Sequence, residues 1–306
     1  MTYRLERMGQ EVYKGLTVLN NREERHFNGT VRCVPEALER PLRWKKPRRI
    51  FVNSMSDLFH KNVPFEFIDQ VFAVMALTPQ HTYQVLTKRP ERAAEYLASR
   101  TPTKPGHVLP PEWLHYMNDV KDDRGRNLTT KYRHHRKNMH RRGTWPLPNL
   151  WLGTSCGHQE AADEMIPHLL NCPAAVRFLS VEPMTGPVDL SGALRNAHCA
   201  ERLHWVIVGG ESGPGARPCN IQWIRDIVKQ CNAAQVPVFV KQLGKQPYST
   251  SMIAAHRASG PRGAVMIDTS EGRHFCLGLA DPKGGDPTEW PEDLRVREFP
   301  PQAQRA

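Results

Sequence analysis

The chain has 306 residues, of which 39% are hydrophobic and 24% charged, so it can bury a core and lacks the composition of a disordered protein. It has 42 Lys and Arg residues against 31 Asp and Glu residues, a formal net charge of +11. This excess predicts an anionic partner, with nucleic acid ahead of a membrane surface, and a solvated basic surface is the alternative.

Several classes of protein are excluded by simple patterns. No run of about 18 apolar residues exists to form a transmembrane helix, and the N-terminal residues lack the apolar segment of a secretory signal. The seven cysteines contain no C-x-x-C pair, which argues against a disulfide framework and a zinc ribbon. We therefore expect a cytoplasmic protein that does not associate with membranes.

Six short apolar runs rich in β-branched residues predict strands that are buried on both faces. They span residues 49–54, 82–87, 149–154, 176–181, 204–209 and 237–242. Apolar residues at helical spacing predict helices between them, at 66–77, 91–99, 160–170 and 223–234. This alternation is typical of a parallel α/β fold, either an open sheet or a barrel.

Two regions interrupt the alternation. Residues 101–148 show no apolar period, which predicts an insertion. The region after residue 245 is dense in turn-forming residues, with weak strand signals at 264–268 and 274–279. We expect a domain over 1–245 with the insertion at 101–148, and a C-terminal extension over 246–306 that packs on it.

Polar side chains follow each predicted strand, at the edge where parallel α/β sheets bind ligands. Loop polarity explains the serines more easily than the ionisable residues that lie so close to apolar runs. We therefore predict a site at this edge. Its candidates are Asn53, Ser54, Ser56, Asp57, Lys88, Ser155, Glu182, Gly209, Gly210, Glu211, Lys241 and Gln242.

Some of these candidates have two interpretations. The glycine-rich residues 209–215 either bring backbone N–H groups to an anion or form a tight turn, and their spacing matches neither common nucleotide-binding motif. Arg217 is either a clamp for a carboxylate or phosphate or a surface cation. Lys88 and Lys241 would be costly to bury without a partner, so each is expected to contact a glutamate or a ligand.

A basic run at 131–142 contains six Lys or Arg residues and three histidines. Its charge density predicts binding to phosphate backbones, and a solvated loop is the alternative. The cations are Lys131, Arg133, Arg136, Lys137, Arg141 and Arg142. The nearby aromatic residues Trp113, Tyr116, Tyr132 and Trp145 are candidates for stacking on bases. The histidines lack partners at metal-ligand spacing, so no metal site is predicted.

Six motifs occur in order along the chain: RIFVNSMSDLFHKNVP, QVLTKRPER, LWLGTSC, FLSVEPMTGPV, VIVGGESGPGARP and FVKQLG. With them the chain resembles an uncharacterised phage and bacterial family, known as phage gene products thirty-seven and sixty-eight, a domain of unknown function. That family is related to radical S-adenosylmethionine (SAM) enzymes, and its barrel is similar to that of spore photoproduct lyase. It is also linked with three-Cys-motif partner proteins, which the resemblance suggests as partners.

The resemblance implies a partial TIM-like (β/α) barrel of about six parallel strands, with a [4Fe–4S] cluster and SAM at the strand carboxyl ends. It implies a phage-related radical SAM-like enzyme that acts on nucleic acid or a modified base. The implied cofactor-binding residues are Asn53, Ser54, Ser56, Asp57, Ser155, Gly209, Gly210 and Glu211, and the implied catalytic residues are Lys88, Glu182 and Lys241.

The chain departs from the family at the cluster. The family's three cysteines lie in a stretch ending C-x-x-C-Y-A, whereas no cysteine precedes Cys33 here. Because a cluster needs thiolate ligands, we expect no cofactor in this chain, and a cluster with SAM in a full-length member. Radical SAM activity is then expected only if the full-length protein has the missing motif, and the chain as given is expected to be an N-truncated or cluster-less form of such an enzyme. The alternatives are a non-catalytic nucleic-acid-binding barrel and a partner protein completed by another chain.

Overall fold

The computed structural model describes residues 13–19, 25–102, 109–119, 145–195, 202–250, 265–269 and 272–301. The chain divides into two compact units. The first consists of Met1–Val85 and Tyr96–Asn149, and the second of Leu86–Glu95 and Leu150–Ala306. No helix in the described ranges is both long enough and apolar enough to cross a membrane.

The N-terminal half begins with an antiparallel hairpin and continues with alternating helices and strands. Its elements are β1 (Thr17–Leu19), β2 (Arg25–Phe27), a 3-10 turn (Pro35–Leu38), α1 (Glu39–Arg43), β3 (Arg49–Val52), α2 (Phe65–Leu77), β4 (Thr82–Thr87), α3 (Pro90–Ser99) and α4 (Pro111–Asp119).

The C-terminal half continues the alternation and then becomes irregular. Its elements are β5 (Leu150–Ser155), α5 (Gln159–Leu170), β6 (Val176–Val181), α6 (Ser191–Leu194), β7 (Trp205–Gly209), β8 (Cys219–Asn220), α7 (Ile221–Ala233), β9 (Val238–Gln242), β10 (Pro247–Ser249), β11 (Val265–Thr269), β12 (Gly272–Cys276) and two 3-10 turns (Pro287–Glu289 and Glu292–Leu294).

Six parallel strands form a curled half-barrel sheet in the order β3-β4-β5-β6-β7-β9, and helices flank it. The predicted fold class is confirmed, as are all six predicted strands and the four predicted helices. Strand β6 is buried throughout, as predicted for a strand that is covered on both faces. The prediction of burial on both faces is wrong for β3, which lies at one end of the sheet and has Arg49 and Phe51 exposed. A second sheet, of four short strands, has the order β11-β12-β10-β8.

One cluster of aromatic residues lies on the strands of the parallel sheet that belong to the second unit. Trp151, Phe178 and Trp205 are each less than 5% exposed and lie on three neighbouring strands. Gly153 makes room for them, because a Cβ atom there would lie 2.5 Å from the ring of Phe178. Large buried rings of this kind dominate the burial energy of a core.

Helix α4 lies inside the segment 101–148, and the prediction that this segment has no apolar period is wrong over residues 111–119. That the segment is an insertion stays a prediction. Trp113 and Met117, four residues apart, are both buried. The indole N–H of Trp113 donates to the hydroxyl of Tyr96 at 2.9 Å and reaches Asp69 at 3.2 Å. A fully buried indole is not accessible to a base, so the predicted stacking role of Trp113 is also wrong.

The C-terminal segment runs beside the last strand of the parallel sheet. The N–H of Val240 donates to the carbonyl of Val296, and the N–H of Glu298 donates to the carbonyl of Val238, both at 2.9 Å. The indole of Trp205 donates to the carbonyl of Glu298 at 2.9 Å. These bonds fix residues 296–298 along β9. The predicted domain boundary at 245/246 stays a prediction.

Candidate functional site

The second unit brings two of the predicted catalytic residues into direct contact. Lys241 donates from Nζ to Oε2 of Glu182 at 3.0 Å. The side chain of Glu182 is 10% exposed, whereas that of Lys241 is 55% exposed. The pair therefore has a buried carboxylate and an ammonium group that solvent and ligands can reach.

A local irregularity of β9 accounts for the position of Lys241. Val208 lies opposite Val240, but Gly209 lies opposite Gln242, so Lys241 is an extra residue between two paired positions. Such a bulge changes the direction of a side chain and is common beside active sites. Here it accompanies the contact of Lys241 with Glu182, which follows β6, the strand on the other side of β7.

The electrostatics of the pair are unequal. Burial raises the pKa of the Glu182 carboxyl, and the charge and hydrogen bond of Lys241 oppose that rise. Any cation that contacts a carboxylate in this environment stabilises its charged form, because burial has removed most of the water that would otherwise do so. The pair can therefore exchange its internal contact for one with a ligand ammonium group.

The glycine-rich turn after β7 is explained mainly by backbone packing. The backbone N–H of Gly210 donates to the backbone carbonyl of Gln242 at 3.1 Å. The side-chain amide of Gln242 donates from Nε2 to the backbone carbonyl of Gly210 at 2.9 Å. A Cβ atom at Gly210 would lie 2.2 Å from the carbonyl oxygen of Leu243. Glycine is needed there because two backbone segments nearly touch, and the N–H of Gly210 is already used.

Glu211 and Arg217 form a second ion pair in the same turn. Oε2 of Glu211 accepts from Nε of Arg217 at 2.7 Å and from its backbone N–H at 3.1 Å. These hydrogen bonds lower the pKa of the Glu211 carboxyl. The pair links two positions of the same loop, so both residues stabilise the conformation of that loop.

The remaining second-unit candidates lie at strand ends. Lys88 follows β4 directly and is exposed, so its charge carries no burial cost that would require a partner. Ser155 ends β5 opposite Ser180 and is half-buried. Cys156 follows it and is buried. A ligand role for Lys88 and Ser155 stays a prediction.

The first unit contains the four candidates that follow β3. Asn53 has a positive φ of 58°, and its carbonyl accepts from the N–H of Ser56 at 3.1 Å. Oδ1 of Asp57 accepts from the N–H of Phe59 at 2.9 Å. Asn53, Ser54, Ser56 and Asp57 thus build a tight turn, and their convergence with the other candidates stays a prediction. The basic run at 131–142, with its six cations, lies outside the described residues.

The described cysteines do not fit an iron–sulfur cluster. No group of three or more His, Cys, Asp or Glu residues within the described ranges could hold a metal ion. Burial raises the pKa of the Cys156, Cys172, Cys219 and Cys231 thiols to about 12, so they are protonated near neutral pH. A cluster needs thiolates that converge on one point.

SAM is a different case, because its amino-acid part is a zwitterion. Glu182 can accept from the α-ammonium group, and Lys241 can donate to the α-carboxylate. The donor set of the pair therefore fits this cofactor, whereas the cysteines do not fit the cluster.

Comparison with known proteins gives a family but no characterised relative. No curated protein and no solved structure matches this chain. One family matches residues 1–269, which include the parallel sheet and the Glu182–Lys241 pair. The chain therefore belongs to the family described as "Protein of unknown function (DUF5131)".

Proposed function

We propose that this chain is a phage-related, radical SAM-like enzyme of nucleic acid or a modified base, or an N-truncated, cluster-less form of one, and that it binds SAM at the carboxyl ends of its strands. The supporting observation is the Glu182–Lys241 pair, whose contact is 3.0 Å long and whose carboxylate is 10% exposed. The resemblance to radical SAM enzymes and to the spore photoproduct lyase barrel supports the same proposal.

The residues of this chain are assigned binding and positioning only, because the described cysteines do not fit the cluster. Glu182 holds the α-ammonium group of SAM, and Lys241 holds the α-carboxylate. When bound, SAM would supply the group that reacts with the nucleic acid or modified base. The bulge in β9 accompanies the position of Lys241 beside Glu182, where both side chains can reach one amino-acid group.

Calorimetry with S-adenosylhomocysteine tests the proposal, since this analogue keeps the amino-acid part. Glu182→Gln and Lys241→Met are each expected to weaken its binding roughly 10- to 150-fold, the range for losing a hydrogen bond to a charged group. Methylthioadenosine lacks the amino-acid part, so its affinity should be the same in all variants. Asp226→Asn with Lys229→Met removes an exposed acid–lysine pair on α7 and is the matched control.

The pH dependence gives a second readout. Because burial raises the pKa of Glu182 above its usual 4.5, affinity for the analogue should fall as pH falls through that raised value. Glu182→Gln should remove this dependence. If the wild-type chain does not bind the analogue, or binds it as tightly in both variants, the proposal is wrong.

A second candidate function is non-catalytic binding of nucleic acid through the basic run. The net charge of +11 and the six cations at 131–142 favour it. The logarithm of the binding constant should fall linearly with the logarithm of the salt concentration. Deletion of 131–142 should reduce the slope of this line. An unchanged slope would leave the run as a solvated loop.

Two further parts of the proposal concern the setting of the protein. A cytoplasmic location is supported by the six described cysteines, all of which are free thiols. A partner chain, such as a three-Cys-motif partner protein, is supported by the position of β3 at one end of the sheet, where a further strand can be added. A monomer in size-exclusion chromatography, alone and with the partner, would argue against the second part.

A further inference from the structure

A short segment of the first unit, residues 40–49, is the most basic stretch that the structure describes there. Six of its ten residues are Arg or Lys, and none is acidic. All six side chains belong to exposed residues. They are Arg40, Arg43, Lys45, Lys46, Arg48 and Arg49. Such a density of cations attracts a polyanion whatever its sequence.

The segment leads directly into β3, which presents an aromatic ring beside the last of these cations. Burial alternates along the strand, so that Arg49 and Phe51 are exposed while Ile50 and Val52 are half-buried. Phe51 is 47% exposed, which is unusual for a ring in a parallel sheet. Residues two apart on a strand share a face and lie roughly 6.6 Å apart. One nucleotide can therefore reach both side chains, with its base on Phe51 and a phosphate at Arg49.

The neighbouring strand adds a hydrogen-bonding group to the same face. Phe51 lies opposite Gln84 of β4 in the parallel register. Gln84 is half-buried, and its amide can both donate and accept. The face thus combines a cation, a ring and an amide. In nucleic-acid complexes a cation contacts the phosphate, a ring stacks on the base and an amide bonds to the edge of the base.

The basic segment is also partly preorganised. The guanidinium group of Arg48 lies over the indole ring of Trp44, 4.5 Å from its centroid. Trp44 in turn contacts the ring of His81 edge-on, with centroids 5.9 Å apart. A stacked guanidinium loses less conformational entropy when a phosphate binds it.

From these contacts we propose that the exposed face of β3 and the segment 40–49 bind single-stranded nucleic acid. A lipid surface fits less well, because the apolar residues Pro41 and Leu42 of α1 are buried and leave that helix no apolar face for a bilayer. A duplex fits less well, because its bases are stacked on one another and cannot cover Phe51. The inference rests on the proposed function only for the class of substrate, and it concerns residues other than 131–142.

Fluorescence anisotropy with a labelled oligothymidylate of about 12 nucleotides tests the surface in the full chain. Phe51→Ala should weaken binding about 5- to 150-fold, the range for losing one stacked base, with the salt dependence unchanged. Phe51→Tyr keeps the ring and should bind like the wild type. Phe27→Ala removes a ring of the hairpin that is more exposed than Phe51 and should have little effect.

The cations have a separate signature. Lys45→Gln with Lys46→Gln should reduce the slope of log affinity against log salt by about 1.4, since each phosphate contact on a single strand contributes about 0.7. Lys229→Gln with Lys283→Gln removes the same charge from exposed positions of the second unit and should leave the slope nearly unchanged.

Three outcomes would overturn the inference. The first is equal affinity of wild type and Phe51→Ala for the oligonucleotide, with both proteins folded by circular dichroism. The second is equally tight binding of a duplex of the same length. The third is binding to phosphatidylserine vesicles without binding to the oligonucleotide. Binding of S-adenosylhomocysteine should not change in Phe51→Ala, so failure of this surface and failure of the SAM site are separable.

Discussion

The buried carboxylate of Asp69 supports the most demanding prediction about the stability of the first unit. Asp69 is 5% exposed and lies on the buried side of α2. It accepts from Tyr96 Oη at 2.9 Å, from Nε and Nη2 of Arg100 at 2.9 and 3.0 Å, and from Trp113 Nε1 at 3.2 Å. Burial and the neighbouring Asp69 raise the pKa of Tyr96, so its hydroxyl remains a donor.

Asp69→Ala is expected to lower the free energy of unfolding by about 3–5 kcal/mol, because it leaves a charge buried without its partner. The side chain of Arg100 is only 15% exposed, and the nearest other carboxylate, that of Glu112, is 4.0 Å away and 45% exposed. Two hydrogen-bond donors, the Tyr96 hydroxyl and the Trp113 indole, also lose an acceptor.

A double-mutant cycle in urea unfolding measures this value. Arg100→Met with Asp69→Ala removes both charges, so the double variant should recover much of the loss of the Asp69→Ala variant. Strict additivity of the two single variants, or a loss below about 1 kcal/mol for Asp69→Ala, would refute the reasoning, since either result means that the guanidinium group finds water or another partner.

Two other predictions concern the second unit. Gly210→Ala should cost about 1–3 kcal/mol, because its Cβ would lie 2.2 Å from the carbonyl of Leu243, whereas Gly186→Ala, with no heavy atom within 4 Å, should cost almost nothing in the same thermal unfolding experiment. Equal costs would contradict the close approach. Burial, and then the charges of two arginines, lowers the pKa of His204 from 6.5 to about 4, so the unfolded chain binds a proton first and stability should fall as pH drops from 6.5 to about 4. His204→Gln should flatten this part of the stability profile, and an unchanged profile would argue against a neutral, buried imidazole.

The strands could be predicted from sequence because of where they lie. A strand covered on both faces is mostly apolar, and β5, β6 and β7 are buried at all or all but one of their positions and mostly apolar. The hairpin of β1 and β2 was missed because its described residues are largely exposed, so no burial pattern marks it. Strands β8 and β10 have two and three residues, too few for any period.

Helix α4 left a signal that could have been used. Pro111 stands at its first position, which is a common place for proline in a helix, and Trp113 and Met117 are four residues apart. The spacing of Trp113 and Met117 is short, and the charged run at 131–142 dominates the composition of the segment, so the helix was not predicted. The Asp69 network also had a signal, since an aspartate in a mostly apolar helix needs a partner when it is buried.

The candidate site shows what sequence cannot supply. Glu182 and Lys241 were both expected near the strand carboxyl ends, but nothing in the letters indicates that they touch. Their contact goes with the one-residue bulge in β9, and the sequence VFVKQ of this strand gives no sign of a bulge. For the same reason, the packing role of Gly210 became apparent only from its distance to Leu243.

The hydrogen bonds between residues 296–298 and β9 have a consequence for the association of this protein with other chains. A strand at the end of a sheet that has unpaired backbone groups can accept a strand from another chain, and here residues 296–298 occupy those groups on β9. The residues that cover β9 follow the part of the chain that the family matches, which is 1–269. Removing residues 296–298 should therefore expose β9 and promote self-association.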